Sequence, residues 1–142
     1  MKKVRDVLQV KGAEIFSIGP DDSVFNAIQI MADNRIGALV VLDGEKLVGM
    51  ISETDYARKI VLEGRTSAST RVREIMTDKV LYVGLDQDIT ECMALMTERR
   101  FRHLPVIEDE KLVGLISIGD LVKSIIDEQS FTIEQLERYI TG

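Results

Sequence analysis

Apolar residues along the chain follow a helical period in some segments and a strand period in others. Val24, Ala27, Ile28 and Met31 are spaced i, i+3, i+4 and i+7, which predicts a helix over residues 23–34. The same spacing returns 65 positions later, at Ile89, Cys92, Met93 and Met96. Two amphipathic helices with matching apolar faces therefore occupy equivalent places in the chain.

Runs rich in β-branched residues predict a hairpin after each of these helices. Residues 38–42 and 46–52 read as strands around a turn at 43–45, and residues 103–107 and 111–117 repeat this pattern. A short strand is predicted before each helix, at 15–18 and 80–83. A closing helix is predicted after each hairpin, at 53–63 and 118–128. The residues that we expect to be buried in the closing helices are Tyr56, Ala57 and Ile60 in the first, and Leu121, Val122, Ile125 and Ile126 in the second.

The order β-α-β-β-α thus occurs twice, and the repeat extends to individual residues. At one constant offset, Gly49, Ser52 and Asp55 match Gly114, Ser117 and Asp120. The opening segment VRDVL at 4–8 returns as VREIM at 72–76. We therefore predict an α+β fold of two repeats, at 1–64 and 72–128, related by a pseudo-two-fold axis and packed as one unit. A polar linker at 65–71 joins them.

A C-terminal helix is predicted at 129–142. Thr132 and Gln135 have the spacing of a capping box, which places the start of this helix at Thr132. Ile133, Leu136 and Ile140 form an apolar stripe that must cover either the same chain or a second subunit.

Composition narrows the classes of function. The chain has 142 residues and a net charge of −6, and this charge argues against general nucleic-acid binding. One cysteine and one histidine exclude a disulfide within the chain and a Cys/His metal cluster. No apolar run approaches a membrane span, and Lys2 and Lys3 precede a mixed polar stretch rather than a signal sequence. These features predict a soluble cytoplasmic protein that does not act at a membrane.

The paired motifs resemble a known family. The tandem β-α-β-β-α units with VRDVL or VREIM, KLVG followed by Ser-x-x-Asp, and the RHLPV strand are similar to the cystathionine β-synthase (CBS) domain pair, or Bateman module. The resemblance covers residues 4–126. It implies a noncatalytic module of the stand-alone bacterial type that binds AMP, ADP, ATP, NAD(H) or S-adenosylmethionine between its repeats, and that forms disc-like homodimers.

The Ser-x-x-Asp motif has two compatible interpretations. A serine as N-cap and an acid three residues later form a capping box, and a carboxylate suits a helix N-terminus. An acid in this position can also accept hydrogen bonds from two ribose hydroxyls. The resemblance assigns ribose and phosphate contacts to Ser52, Asp55, Ser117 and Asp120.

Basic residues cluster at the entry to the second hairpin. Arg99, Arg100, Arg102 and His103 lie within five positions of an acidic chain. Such a run is either a solvated face or a phosphate-binding patch. The resemblance assigns phosphate contacts to Arg102 and His103, although a lone histidine such as His103 is more often a partly exposed structural residue than a ligand contact. The first copy has no charge at 36–38, so the two clefts should be unequal.

The resemblance also implies an apolar slot for adenine. The residues that would line it are Ile15, Phe16, Ser17, Gly37 and Ala38 in the first repeat, and Val80, Leu81, Tyr82 and Pro105 in the second. Gly49 and Gly114 lie inside predicted strands, where we expect close packing rather than ligand contact. Cys92 is expected to be a buried, unreactive thiol.

The sequence therefore predicts a regulatory sensor that binds an adenosyl ligand and passes a conformational change to a regulated protein. No metal and no catalytic residue are predicted. The alternative is a structural or interaction module that keeps the fold without a ligand. An enzyme would need a nucleophile–base pair, which the sequence does not provide. RNA binding through the basic segments is opposed by the net charge.

Overall fold

The computed structural model of the chain describes residues 2–12 and 14–141, with side chains as far as Arg138. The chain divides into two compact units. The central unit is Glu14–Leu81, and the terminal unit joins the N-terminal segment to the chain from Tyr82 onwards. The boundaries of these units differ from those of the sequence repeats. The opening segment of each repeat belongs to the unit that contains the hairpin of the other repeat.

A three-stranded sheet forms the central unit. Strand β1 (Ser17–Ile18) runs parallel to β2 (Ala38–Asp43), and β2 pairs antiparallel with β3 (Lys46–Ser52), with a bulge between Val41 and Leu42. Helix α2 (Val24–Asn34) begins at Ser23, whose hydroxyl accepts a hydrogen bond from the Asn26 N–H at 3.1 Å. The predictions of this helix and hairpin are confirmed.

The apolar face of α2 packs on the sheet as its spacing predicts. Val24 and Ala27 are fully buried and Met31 is 2 % exposed, while Ile28 is partly buried against the same core. Side chains of β2 and β3, chiefly Leu39, Val41 and Ile51, complete this core. Burial of these apolar side chains is the main stabilising term for the unit.

The closing helix of the first repeat has an irregular shape. It begins as α3 (Glu53–Tyr56) and continues as a π-helical turn over Ala57–Val61. Ile60 is buried and Tyr56 is partly buried, as predicted, but Ala57 is exposed. The prediction for Ala57 is wrong because a π-helical turn changes which positions face the core.

The second repeat's opening segment closes the central unit as helix α4 (Val72–Ile75). Just after it, Thr77 exchanges two backbone hydrogen bonds with Met50 of β3, at 2.8 and 2.9 Å. A Cβ atom at Gly49 would lie 2.7 Å from Met76 Sδ and 2.9 Å from the Thr77 carbonyl oxygen. The predicted packing role of Gly49 is thus explained by this opening segment. A side chain at position 49 would prevent the segment from packing so closely against β3.

The predicted linker at 65–71 is hydrogen-bonded along the start of α2. The Val24 N–H donates to the Thr70 carbonyl and the Phe25 N–H donates to the Ser67 carbonyl, at 2.9 and 3.0 Å. Thr70 is 3 % exposed. These bonds satisfy donors at the first turn of α2 that have no partner within the helix.

The terminal unit repeats this design with one strand fewer. Helix α5 (Ile89–Arg99) precedes strands β4 (His103–Glu108) and β5 (Lys111–Ser117), which form an antiparallel pair. The predicted strand at 80–83 is reduced to a single parallel bridge between Val83 and Val106, so that prediction is wrong for most of its length. Leu104, Val106 and Ile116 of the hairpin are fully buried, and Ile89, Cys92 and Met96 of α5 are at most 1 % exposed.

Helix α1 (Val4–Lys11), the first repeat's opening segment, packs on β5 in this unit. A Cβ atom at Gly114 would lie 2.7 Å from Leu8 Cδ1. The Val4 N–H donates to the Gln87 carbonyl at 2.9 Å, and Arg5 forms an ion pair with Asp86. The absence of a side chain at Gly114 therefore allows α1 to pack closely on β5, as the absence of one at Gly49 allows the segment around Met76 to pack closely on β3.

The C-terminal part of the chain is one helix, α6 (Ile118–Thr141), of 24 residues. The prediction that a separate helix starts at Thr132 is wrong, because the Thr132 hydroxyl donates back to the Glu128 carbonyl within the continuous helix, at 3.1 Å. Leu121 and Ser124 face the core, whereas Val122 and Ile126 are 40 % and 54 % exposed and were wrongly predicted to be buried. Ile140 lies outside the described side chains.

No helix within residues 2–12 and 14–141 is both long and apolar enough to span a membrane.

Replacing Gly49 with alanine should lower the free energy of unfolding by about 1–3 kcal/mol, the usual cost of overpacking. The added methyl group would collide with the carbonyl oxygen of Thr77, a residue held in place by two backbone hydrogen bonds with Met50. Urea unfolding followed by circular dichroism measures the change. Gly84→Ala is the control, because a Cβ atom there meets nothing closer than the Ile107 carbonyl oxygen at 3.9 Å. Equal unfolding midpoints for the two variants would contradict the prediction.

Candidate functional site

Each hairpin ends in a serine that caps the following helix. In the central unit the Ser52 N–H donates to Asp55 Oδ2 at 2.9 Å, and the Asp55 N–H donates to Ser52 Oγ at 3.2 Å. In the terminal unit the Ser117 N–H donates to Asp120 Oδ2 at 2.8 Å, and the Asp120 N–H donates to Ser117 Oγ at 3.1 Å. Both predicted capping boxes are therefore confirmed.

Capping leaves part of each carboxylate accessible. The side chain of Asp55 is 14 % exposed and that of Asp120 is 24 % exposed. In both boxes Oδ2 takes the bond from the serine N–H, which fixes the plane of the carboxyl group. The second oxygen, Oδ1, takes no part in either box.

A lysine contacts each acid, and the two lysines come from different elements. Lys59 lies one turn beyond Asp55; its ammonium donates to the Ile75 carbonyl at 2.8 Å and lies 3.3 Å from Asp55 Oδ1. Position 124, which corresponds to Lys59 in the second repeat, is a serine. There the ammonium comes from Lys11 at the end of α1, which donates to Asp120 Oδ2 and to the Leu115 carbonyl, each at 2.6 Å.

Sequence reasoning missed Lys11. Its two partners are 104 and 109 positions away, and only the packing of α1 on β5 brings them together. One signal was present in the sequence. The second repeat lacks a lysine at the position of Lys59, so any cation beside Asp120 has to come from another part of the chain.

The electrostatics of the terminal-unit site reflect this contact. Burial raises the pKa of Asp120, but hydrogen bonds from Lys11 and Ser117 outweigh it and hold the pKa below its ordinary value. Asp120 is thus ionised at neutral pH. Burial lowers the pKa of His103, and Lys11 and Arg102 lower it further while Asp120 opposes them. His103 is therefore neutral at neutral pH and can form hydrogen bonds without adding charge.

His103 and Arg102 lie at the entry to β4, beside the capping box. His103 is paired with Ser117 in the sheet register, and the Arg102 carbonyl accepts a hydrogen bond from the Ile118 N–H at 2.8 Å. The Arg102 side chain is exposed. The structure thus brings together His103, Ser117, Asp120 and Lys11, and it leaves the Arg102 guanidinium accessible to solvent.

Comparison with known proteins identifies this arrangement. The CBS domain family model matches residues 4–62 and 72–127, which includes both capping boxes and both opening segments. The chain belongs to the CBS domain family.

Relatives of the CBS pair are found among plant and bacterial proteins. The chain is 41 % identical over 127 residues to the mitochondrial CBS domain-containing protein CBSX3 of Arabidopsis thaliana. The match covers 86 % of this chain and 62 % of the plant protein, so the chain spans less than two thirds of that relative's length.

Solved structures extend the comparison. A protein with CBS domains from Burkholderia ambifaria has a TM-score of 0.87 and 53 % identity, and the match covers 90 % of this chain and 96 % of that chain. A CBS domain pair solved with 5′-methylthioadenosine and S-adenosyl-L-methionine has a TM-score of 0.80 and 23 % identity, covering 90 % and 98 %. At that identity the second likeness concerns the fold.

Two of the predicted adenine-slot residues of the first CBS repeat, Gly37 and Ala38, lie beside its capping box. Ala38 pairs with Ser52 across the hairpin, the Gly37 carbonyl accepts a hydrogen bond from the Glu53 N–H at 3.0 Å, and Ser17 pairs with Val40. Ile15 and Phe16, just before β1, are half-buried. Their role in binding adenine stays a prediction.

The predicted slot residues of the second repeat are divided between the units. Val80 and Leu81 belong to the central unit, whereas Tyr82 and Pro105 belong to the terminal unit. Pro105 is buried in β4, and its carbonyl accepts a hydrogen bond from the Val83 N–H at 3.0 Å. Tyr82 is 60 % exposed. Ligand contact by these four residues also stays a prediction.

Cys92 and the acidic residues offer no further chemistry. Cys92 is fully buried, and burial raises its pKa to about 11, so it is an unreactive thiol as predicted. Among the residues that the structure describes, no three His, Cys, Asp or Glu side chains are placed to hold a metal ion.

The neutral state of His103 predicts an acid-sensitive stability. Because its pKa is lower in the folded chain, the unfolded chain takes up the proton first as the pH falls below the ordinary value of 6.5. The wild type should therefore lose more stability between pH 7.5 and pH 5.5 than His103→Gln. Urea midpoints at both pH values measure the difference, and an equal loss in both proteins would contradict this prediction.

Proposed function

We propose that this CBS pair is a noncatalytic sensor that binds an adenine nucleotide, AMP, ADP, ATP or NAD(H), and relays the bound state to a regulated protein. The observation that carries the proposal is the duplicated box, in which a partly exposed carboxylate is held by the same two serine hydrogen bonds at the end of each hairpin. Each acid keeps one side-chain oxygen outside the serine hydrogen bonds, and such an oxygen can accept a hydrogen bond from a ribose hydroxyl.

The chemistry of the acids suits a ribose. A carboxylate can accept hydrogen bonds from the 2′- and 3′-hydroxyls together, because its two oxygens offer about four acceptor positions. Of the hydrogen bonds among the described residues, none ends on Asp120 Oδ1. In the other box Lys59 lies 3.3 Å from Asp55 Oδ1, a contact long enough to be exchanged for a hydroxyl.

The comparisons support an adenosyl ligand without identifying it. The distant CBS pair described above was solved with two molecules that contain adenosine. Of the nucleotides named, all share the ribose that the two acids would bind. His103, neutral and beside Asp120, would donate a further hydrogen bond, and Arg102 would reach phosphate from solvent.

Regulation would follow from a difference in affinity. A ligand shifts a conformational equilibrium only by the ratio of its affinities for the two states. A nucleotide that binds one arrangement of the chain more tightly would favour that arrangement, and a regulated protein would recognise it. No reaction is proposed.

We also propose that the sensor is a homodimer. Val122, Ile126, Ile133 and Leu136 of α6 are 40–58 % exposed and recur at intervals of four, seven and three residues. This spacing places them on one side of the helix, where an identical helix could cover them.

Isothermal titration calorimetry with AMP, ATP, NADH and S-adenosylmethionine tests the ligand. At least one should bind the wild type, and Asp120→Asn should weaken its binding roughly tenfold or more, because a hydrogen bond to a charged group is lost. Asp78→Asn, an exposed acid in the central unit, is the matched control and should leave binding unchanged.

Binding by none of the four compounds, together with an unshifted melting temperature, would overturn the proposal. The duplicated boxes would then serve only as helix caps in a ligand-free interaction module.

Light scattering after size-exclusion chromatography tests the dimer. The wild type should elute at twice the chain mass of 15.9 kDa, and the double variant Ile133→Glu/Leu136→Glu should elute as a monomer. Gln135→Glu, a charge added at an adjacent exposed position of α6, should remain a dimer. A monomeric wild type would contradict the proposal.

A further inference from the structure

A small basic cavity lies beside Asp120 in the terminal unit. It is formed between α1 and the first turns of α6, has a volume of about 180 Å³, and is lined by Lys2, Lys11 and Lys123 together with Asp120 and Asp127. Pockets that enclose a whole ligand usually measure about 300–1,000 Å³. The cavity therefore suits one polar group of a ligand rather than an entire nucleotide.

The charges around the cavity favour an anion. Three ammonium groups face two carboxylates, and one of these carboxylates is already paired with Lys11. Within residues 2–12 and 14–141, the Lys123 ammonium has no hydrogen-bond or ion-pair partner, and the Lys2 ammonium makes a single long contact of 3.5 Å to the Ser124 carbonyl. Lysine is strongly hydrated and pairs readily with phosphate oxygens.

Lys11 links this cavity to the ribose-binding acid. A lysine ammonium has three protons to donate. Lys11 uses two of them, for Asp120 Oδ2 and for the Leu115 carbonyl, so the third remains for an incoming oxygen. Lys11 can therefore contact a phosphate without releasing Asp120, and it would hold the carboxylate in place for the ribose at the same time.

From this arrangement we propose that Lys11 and Lys123 select phosphorylated nucleosides at the Asp120 site. An uncharged adenosine would lack the group that the cavity attracts, and the sulfonium of S-adenosylmethionine would meet like charges. This inference rests on the proposed nucleotide binding, and it goes further by naming the phosphate as the selected group and two lysines as its readers.

Binding of adenosine, AMP and S-adenosylmethionine to the full chain by calorimetry tests this selection. The wild type should bind AMP roughly tenfold or more tightly than adenosine, as expected for added charge-assisted hydrogen bonds. Lys123→Met should remove most of that preference while changing adenosine affinity less than about twofold. Lys11→Met should weaken the binding of both compounds, because Lys11 also holds Asp120, and should weaken AMP more than adenosine. Lys111→Met, an exposed lysine at the start of β5, is the matched control and should keep the preference.

The outcomes separate this inference from the proposed function. If no adenosyl compound binds the wild type, both fail. If adenosine and AMP bind the wild type equally, or if Lys123→Met weakens both alike, the nucleoside site stands and the selection by phosphate is overturned. Should Lys11→Met fail to fold because Asp120 loses its partner, Lys123→Met decides the question, because its ammonium makes no contact within the described chain that supports the fold.

Discussion

The close approach of an opening helix to a glycine in a hairpin strand determines the architecture of both units. At Gly49 the neighbour is the segment around Met76, and at Gly114 it is Leu8 of α1. In each case the space that a Cβ atom would occupy is filled by a side chain from the other repeat. Because core packing in proteins has the density of an organic crystal, such a contact specifies one partner and one depth of insertion. The repeats exchange their opening helices at these two positions.

The exchange also determines the environment of the acids. The Ile75 carbonyl at the end of α4 holds the Lys59 ammonium beside Asp55, and the end of α1 delivers Lys11 to Asp120. The two boxes have hydrogen bonds of nearly equal length, yet Lys59 belongs to a closing helix and Lys11 belongs to an opening helix. A duplicated unit has thus kept the same charge pair at both acids while its amino-acid sequence changed at positions 59 and 124.

Local pattern was sufficient to predict much of this fold. The helical period identified α2 and α5, and the alternation and turn residues identified both hairpins, because these signals depend on neighbours within about ten positions. The serine–aspartate spacing identified the capping boxes for the same reason. Family resemblance added the adenosyl ligand and the residues that would contact it, and those contacts are still predictions.

The features that sequence reasoning missed depend on distant neighbours or on helix geometry. Lys11 gained its role from residues more than a hundred positions away. Thr132 has the spacing of a cap, but its hydroxyl is satisfied by the carbonyl one turn earlier, so the helix continues through it. Ala57 is exposed because it lies in a π-helical turn, in which side chains do not follow the α-helical period of 3.6 residues on which the prediction was based.

The position of α1 has a consequence for how the chain is made. Translation produces this helix well before the strand that receives Leu8, which extends to Ser117. The central unit has all of its residues once Leu81 has been added. At about 5–20 residues per second, the N-terminal helix spends several seconds outside the ribosome with its apolar face uncovered. Helix α1 is therefore synthesised before the central unit but can pack on β5 only after the residues of that unit are complete.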